Sequence, residues 1–276
     1  MIRKTIVVMC GVLVMASLAN AQSPRFRWQT GQVLVYRTEH NTIASYVMGE
    51  NKDETKTRVQ SIKRWQVMDV DSAGVATLQM SLQALFFETT PLSGEPLVFD
   101  STHLDKSTPA LRKQYENYVG QPLVVVRIDG QGKVLEVKEA RPGHSAAKFE
   151  SEPAFKLLLP AEPLKAGLSW ERAYQIVLEP PQGTGDEKYP AVQRYVCKDI
   201  ANNLATVSLT TEMKGTPAAQ EDQVPLWQMQ PEGEIVFHLQ AGRLQKATLK
   251  IDKQAKIEGG NTRFQSSYTE QYVGDR

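Results

Sequence analysis

Hydrophobic and polar residues alternate most regularly in residues 63–88, KRWQVMDVDSAGVATLQMSLQALFFE. Leu78, Met80, Leu82, Ala84 and Phe86 fall on one parity, and Thr77, Gln79, Ser81 and Gln83 on the other. Successive strand side chains point to opposite faces, so this spacing predicts a strand with one buried face. The run before it carries Arg64, Trp65, Val67 and Val70 and ends at the turn-forming Asp71-Ser72-Ala73-Gly74, which predicts a hairpin.

A shorter version of the same phrase returns at residues 193–213. Arg64 and Asp69 answer Arg194 and Asp199 at one common offset, with a turn at Ala201-Asn202-Asn203. Upstream, Trp28-x-x-Gly31-x-x-Leu34 answers Leu164-x-x-Gly167-x-x-Trp170. Downstream, residues 123–137 answer residues 234–249, each hairpin carrying a glycine before a basic residue, Gly132-Lys133 and Gly242-Arg243. Matched features in one order predict a divergent internal repeat.

The remaining patterns fill in the rest of the chain. A strand begins at residues 32–36 and continues through 43–48, and its partner runs over 57–70. A loop with Pro91, Ser93, Gly94 and Pro96 precedes a short strand at 97–100. Helical spacing of Leu111, Tyr115, Tyr118 and Val119 predicts a helix over 109–119, with Thr108 as N-cap, Pro109 at its first position and Gly120 at its stop. One face of that helix is expected to cover the sheet. A second helical segment fits within 145–159, broken by Pro153. Strands follow at 169–178, 234–239 and 244–251, with a polar loop at Pro180, Pro181, Gly183 and Gly185 and a Gly-Pro-Ala-rich connection over 215–225. The last strand sets Phe264, Ser266, Tyr268, Glu270 and Tyr272 on one face. The fold class expected is mainly β: two tandem antiparallel meander lobes, forming a curved sheet, half-barrel or sandwich, with one or two short helices in the first lobe. The lobes are residues 22–162 and 163–276.

Residues 1–21 read as an address. Arg3 and Lys4 precede an apolar run over 5–18, and Ala19-Asn20-Ala21 is a small-residue cleavage site, so a secretory signal peptide is expected to be cut between Ala21 and Gln22. The apolar run is shorter than the roughly 20 residues that span a bilayer, and no later run approaches that length. Cys10 lies inside the leader and lacks the small residues of a lipidation site, which leaves Cys197 as the only thiol of the exported chain and no intramolecular disulfide. With 32 Lys and Arg against 31 Asp and Glu, the chain has no basic excess suited to nucleic acid.

Residue patterns that carry chemistry are few. There is no G-x-S-x-G elbow, and Gly143-His144-Ser145 lies in a Pro-Gly turn. GQGKVLE and GTGDEKY stop short of a phosphate-binding glycine motif. His40, His103, His144 and His238 are scattered, without paired cysteines or H-E-x-x-H. The densest patch, Asp100, His103 and Asp105 with Ser101 and Thr102, has the composition of a turn before a helix. No catalytic residue, metal ligand or cofactor is assigned. The alternating face of Leu78, Met80, Leu82 and Phe86 is the candidate lining of an apolar trough, on a face that also has the makings of plain core.

Residues 120–137, with V-V-V-x-I-D-G-x-G-x-V-x-x-V, and residues 157–170, with L-L-P and G-x-x-W, resemble exported bacterial proteins of a domain-of-unknown-function type. Such meanders are distantly similar to the half-barrels of periplasmic lipoprotein carriers. That resemblance implies an open curved sheet plugged by helices over an apolar cavity; the duplicated second lobe, without a clear helix, departs from it. The expectation is an exported, non-enzymatic β protein, periplasmic or extracellular, that binds an apolar small molecule or an envelope protein. A structural module of the envelope is the alternative, and a metal-dependent hydrolase the third reading.

Overall fold

The computed structural model describes residues 23–142, 144, 146–178, 187–215, 217 and 220–275. The leader with its cleavage site, Gly143, Ser145 and the loop of Pro180, Pro181, Gly183 and Gly185 lie outside the described residues.

The chain is mainly β, as expected. Its strands are β1 (Val33–Met48), β2 (Asn51–Val70), β3 (Ala76–Thr90), β4 (Leu97–Asp100), β5 (Pro122–Ile128), β6 (Val134–Ala140), β7 (Ser169–Leu178), β8 (Glu187–Ala201), β9 (Leu204–Met213), β10 (Glu232–His238), β11 (Arg243–Ile257) and β12 (Gly260–Gly274). All belong to one antiparallel sheet in the order β6-β5-β3-β2-β1-β12-β11-β10-β9-β8-β7, with β4 attached to the far end of β3. Strands from both segments of the chain therefore share one sheet, joined where β1 pairs with β12.

The inner face carries Tyr36, Trp65, Leu78, Val126, Tyr195, Val207, Phe237 and Leu249, which form one continuous core. Its cover is chiefly residues 153–159, from which Phe155 and Leu157 are driven into the centre, 1% and 0% exposed. The ring of Phe155 lies 5.1 to 5.9 Å from those of Phe26, Trp28, Tyr36 and Trp65. An N-terminal strap crosses the same end, where Phe26 N donates to the Gly130 carbonyl at 2.7 Å and Arg27 N to that of Gly242 at 2.9 Å. Beneath it, Gly132 and Gly242 hold positive φ of 89° and 62°. A Cβ at either would stand 2.6 Å from the Phe26 ring or 2.4 Å from Arg27 Cγ. Only glycine suits both the backbone angle and the close approach.

The helices differ from the pattern read off the chain. Helix α1 (Pro109–Tyr115) is shorter than 109–119, because Val119 leaves it to bridge Leu82. Pro109 does open it, but Thr108 Oγ1 is taken by the amide of Val98 at 3.0 Å and does not cap the helix. Instead of covering the sheet, α1 guards one corner, where Tyr115 packs on Phe87 and Phe99. Helix α2 (Ala146–Ser151) stops before Pro153, and the connection expected at 215–225 contains a third helix, α3 (Gln220–Trp227), whose Leu226 closes a small core with Ile176 and Ala191.

Register matches accompany the sequence echo. β2 and β3 slip between Val67 and Asp69, and β8 and β9 slip between Cys197 and Asp199. Gly31 N donates to the Val67 carbonyl and Val67 N to that of Gln32, both at 2.9 Å. Gly167 N and the Cys197 carbonyl, then Cys197 N and the Leu168 carbonyl, make the equivalent bonds at 2.8 and 2.9 Å.

Candidate functional site

The alternating face of β3 does not run unbroken. Lys63 pairs with Leu82 but Ile62 pairs with Ala84, so Gln83 is an extra residue in β3. One inserted residue reverses the parity of everything after it. Leu78, Met80 and Leu82 thus face inward with the core, while Phe86 faces outward beside Gln60, and Leu85 and Phe87 take the inner positions. Phe86 lines a shallow groove of about 580 Å³ on the outer face, with Arg37, Gln60, Asp100 and Gln271, while Leu78 and Met80 are buried. The four residues picked from the alternation are therefore not brought together. The bulge that parts them left no mark in the local pattern, because Ala84 and Leu85 are both apolar.

A larger cleft of about 740 Å³ lies where the two edges of the sheet come near each other. Its walls are the β5–β6 turn and β6 on one side and β7 on the other, with α2 and residues 158–162 between them. Bonds at both walls hold the crossing segment: Leu159 N donates to the Gln131 carbonyl at 2.9 Å, and Trp170 Nε1 to that of Leu158 at 2.7 Å. Helix α2 touches both edge strands. The sheet is thus rolled far enough for one short helix to span its opening.

The cleft's lining is largely apolar and aromatic, with Val134, Val137, Phe149, Pro153, Leu158, Trp170 and Tyr174. Trp170 stacks on Tyr195 at 5.5 Å, which fixes its plane. Arg172 and Lys133 are cations of the lining, and Glu136, Glu162 and Glu171 its carboxylates; the Arg172 guanidinium lies 4.4 Å from the Tyr174 ring centre and donates to Gln193 Oε1 at 3.0 Å and to the Ser151 carbonyl at 3.3 Å. Burial pushes the Tyr174 hydroxyl up to about 12, against the pull of Arg172, so it stays a neutral donor. A space of this size, with aromatic and aliphatic side chains on both walls and charged groups such as Lys133, Glu136, Glu171 and Arg172 among them, suits a largely apolar small molecule that carries a polar end. The signal missed in the sequence was the approach of V-x-x-V in β6 to W-x-R-x-Y in β7 across the cleft, which no local pattern relates.

A polar cluster occupies the other end of the inner face. Glu270, fully buried, accepts from Lys63 Nζ at 3.3 Å and from the Tyr268 hydroxyl at 2.8 Å, and Lys63 also donates to that hydroxyl oxygen at 3.1 Å. Lys156 points in from the crossing segment, 4.6 Å from the Tyr268 ring centre, and pairs with Glu152. Glu152 is nearly half exposed, so water screens it, while burial and the neighbouring Lys63 hold the Lys156 amine down at about 7. Thr38 and Ser61 share a 2.7 Å hydrogen bond, and His40 meets Ser266 at 2.8 Å.

The patch around His103 is a closed turn. Asp100 accepts from the Thr102 amide at 2.8 Å and hydroxyl at 2.6 Å, and its other oxygen lies 3.1 Å from His103 Nδ1. Among the described residues no three His, Cys, Asp or Glu side chains converge as a metal site would require. Cys197 is buried, and burial with Asp199 nearby raises its thiol, which keeps it protonated and unreactive. No helix among the described residues is long and apolar enough to cross a membrane.

No family model matches the chain, and no curated protein matches it. Among solved structures it is similar to lipovitellin, in a study of lipid–protein interactions, with 13% identity and a TM-score of 0.43 over 91% of this chain and 26% of that one. It is also similar to an outer-membrane channel of Pseudomonas putida F1, at 9% identity and a TM-score of 0.28 over 92% of this chain and 98% of the channel. A Pseudomonas aeruginosa MucA/MucB complex gives 8% identity and a TM-score of 0.12 over 86% and 89%. The chain spans about a quarter of the lipovitellin chain. All three scores fall below 0.5 and assign no function.

Proposed function

We propose that this is an exported, non-enzymatic β protein that holds an apolar small molecule in the cleft between β6 and β7. The single observation behind the reading is the cleft itself, about 740 Å³ with aromatic and aliphatic walls on both sheet edges. Export rests on the leader, read from residues 1–21. The same reading takes the two halves as divergent copies, supported by the matched bulges and strand-entry bonds.

Binding of an uncharged environment-sensitive dye, N-phenyl-1-naphthylamine, to the mature protein tests this. Saturable one-to-one binding, competed by a long-chain alcohol and weakened at least tenfold by Phe149→Asp, is the expected result. Failure to saturate, or binding indifferent to that substitution, overturns it.

A second reading is favoured by the free edges. Among the described residues β6 pairs only with β5 and β7 only with β8, so their outer backbone groups border the same cleft. An extended segment of an envelope protein adding a strand there would make this an interaction module. Hydrogen exchange in native envelope extract separates the two: slowed amide exchange along β7 marks the strand partner, and unchanged exchange sets it aside.

A further inference from the structure

Among the described side chains, the polar end of the inner face holds more lysines than carboxylates. Lys63 projects from β2, Lys156 from the crossing segment and Lys148 from α2, while His40 of β1 and His144, just before α2, stand at the margins. Glu270 of β12 already uses one oxygen on Lys63 and the other on Tyr268. Among the described side chains Glu152, nearly half exposed, makes its ion pair with Lys156, and Lys148 makes none. Burial and then Lys63 hold the Lys156 amine below its ordinary value, and the Lys148 amine and both imidazoles shift the same way; Lys148 and His40 are exposed, so water screens their part of the effect. In addition, Nδ1 of His144 is buried without a well-formed hydrogen bond, the Pro142 carbonyl being the one backbone group near enough to the imidazole to oppose its shift.

We propose that Lys63, Lys148 and Lys156, with His144 and the hydroxyls of Ser61 and Ser266, form a binding site for a phosphate-type oxyanion, free or as a lipid headgroup. Lys63 and Lys156 converge on Tyr268 from two sides, at 3.1 Å from its hydroxyl and 4.6 Å from its ring centre. The site is sealed at its base by Glu270, 0% exposed, and opens to solvent past Lys148 and His40. An oxyanion entering there supplies the missing negative charge and accepts from ammonium donors that have too few acceptors. The site is separate from the β6–β7 cleft, and its standing does not depend on the apolar reading of that cleft.

Mature protein carrying lysine labelled with ¹³C at Cε, titrated with inorganic phosphate at constant ionic strength, tests the proposal. The Lys63, Lys148 and Lys156 signals are expected to move together and saturate, while Lys250 and Lys256, exposed on the outer face of β11, stay put. Lys156→Met should weaken the interaction at least tenfold. Dihexanoyl phosphatidate, a monomeric lipid with the same headgroup chemistry, identifies the source: tighter binding than phosphate by tenfold or more marks a lipid, and equal binding marks the free ion. Shifts that grow without saturation, or that chloride or the surface lysines reproduce, overturn the site. The wild-type spectrum decides this even if the Lys156 variant does not fold.

Discussion

The two ends of the inner face are built from the same strands and do opposite things. At one end Phe155 is surrounded by Phe26, Trp28, Tyr36 and Trp65, and the face is closed and apolar. At the other, only a few residues further along β1, β2 and β12, the inward positions are Thr38, Ser61, Lys63, Tyr268 and Glu270. The change falls within the covering segment: Phe155 points to the first region and Lys156, the next residue, to the second. A sheet face is core only as far as something covers it, and beyond that boundary the same alternation carries charge.

The contrast is broken most strongly by Phe155→Ala, which removes the centre of the aromatic cluster and should cost about 3–5 kcal/mol in urea unfolding. A loss under about 1 kcal/mol would mean the segment is not the real cover. Glu270→Gln should come next, at about 2–3 kcal/mol. It leaves Lys63 short of its charge partner, and the side chain's 22% exposure softens the full penalty of an orphaned buried ion. Thr38→Val, which deprives Ser61 of its 2.7 Å partner, should cost about 1–2 kcal/mol by the same measurement.

Lys156→Met has the opposite sign, and its effect depends on pH. The folded amine titrates at about 7, well below its value in the unfolded chain, so between these limits the unfolded state binds more protons. Stability attached to Lys156 therefore rises with pH from about 7 towards 10 and is lost as pH falls back to about 7. In phosphate-free buffer the variant should be the more stable protein at pH 6.5, with its advantage shrinking by pH 9. A constant difference across that range would place Lys156 in water.

Much of this was legible in the chain. Alternation in residues 77–83 and the Asp71–Gly74 turn led directly to the β2–β3 hairpin, and the last strand's stripe of Phe264, Ser266, Tyr268, Glu270 and Tyr272 does lie on one face. The candidate lining was less legible, because Gln83 is an extra residue and a bulge shows only once a strand is set against its partner. Helix α1 came out short because Val119 gains more by bridging Leu82 than by another turn, a contact between residues far apart in sequence. The cleft was invisible for a stronger reason, since it joins the two ends of the strand order and exists only after the whole sheet has rolled.

The claim that ligand enters between the edges, and not against the core face, is tested most directly by fluorescence quenching with a brominated long-chain alcohol. Bromine quenches indole only at close range, and of the tryptophans Trp170 lines the cleft while Trp65 is buried beside Phe155. The account predicts saturable quenching that survives Trp65→Phe and disappears in Trp170→Phe. Quenching that persists without Trp170, or none at all in the wild type, would contradict it.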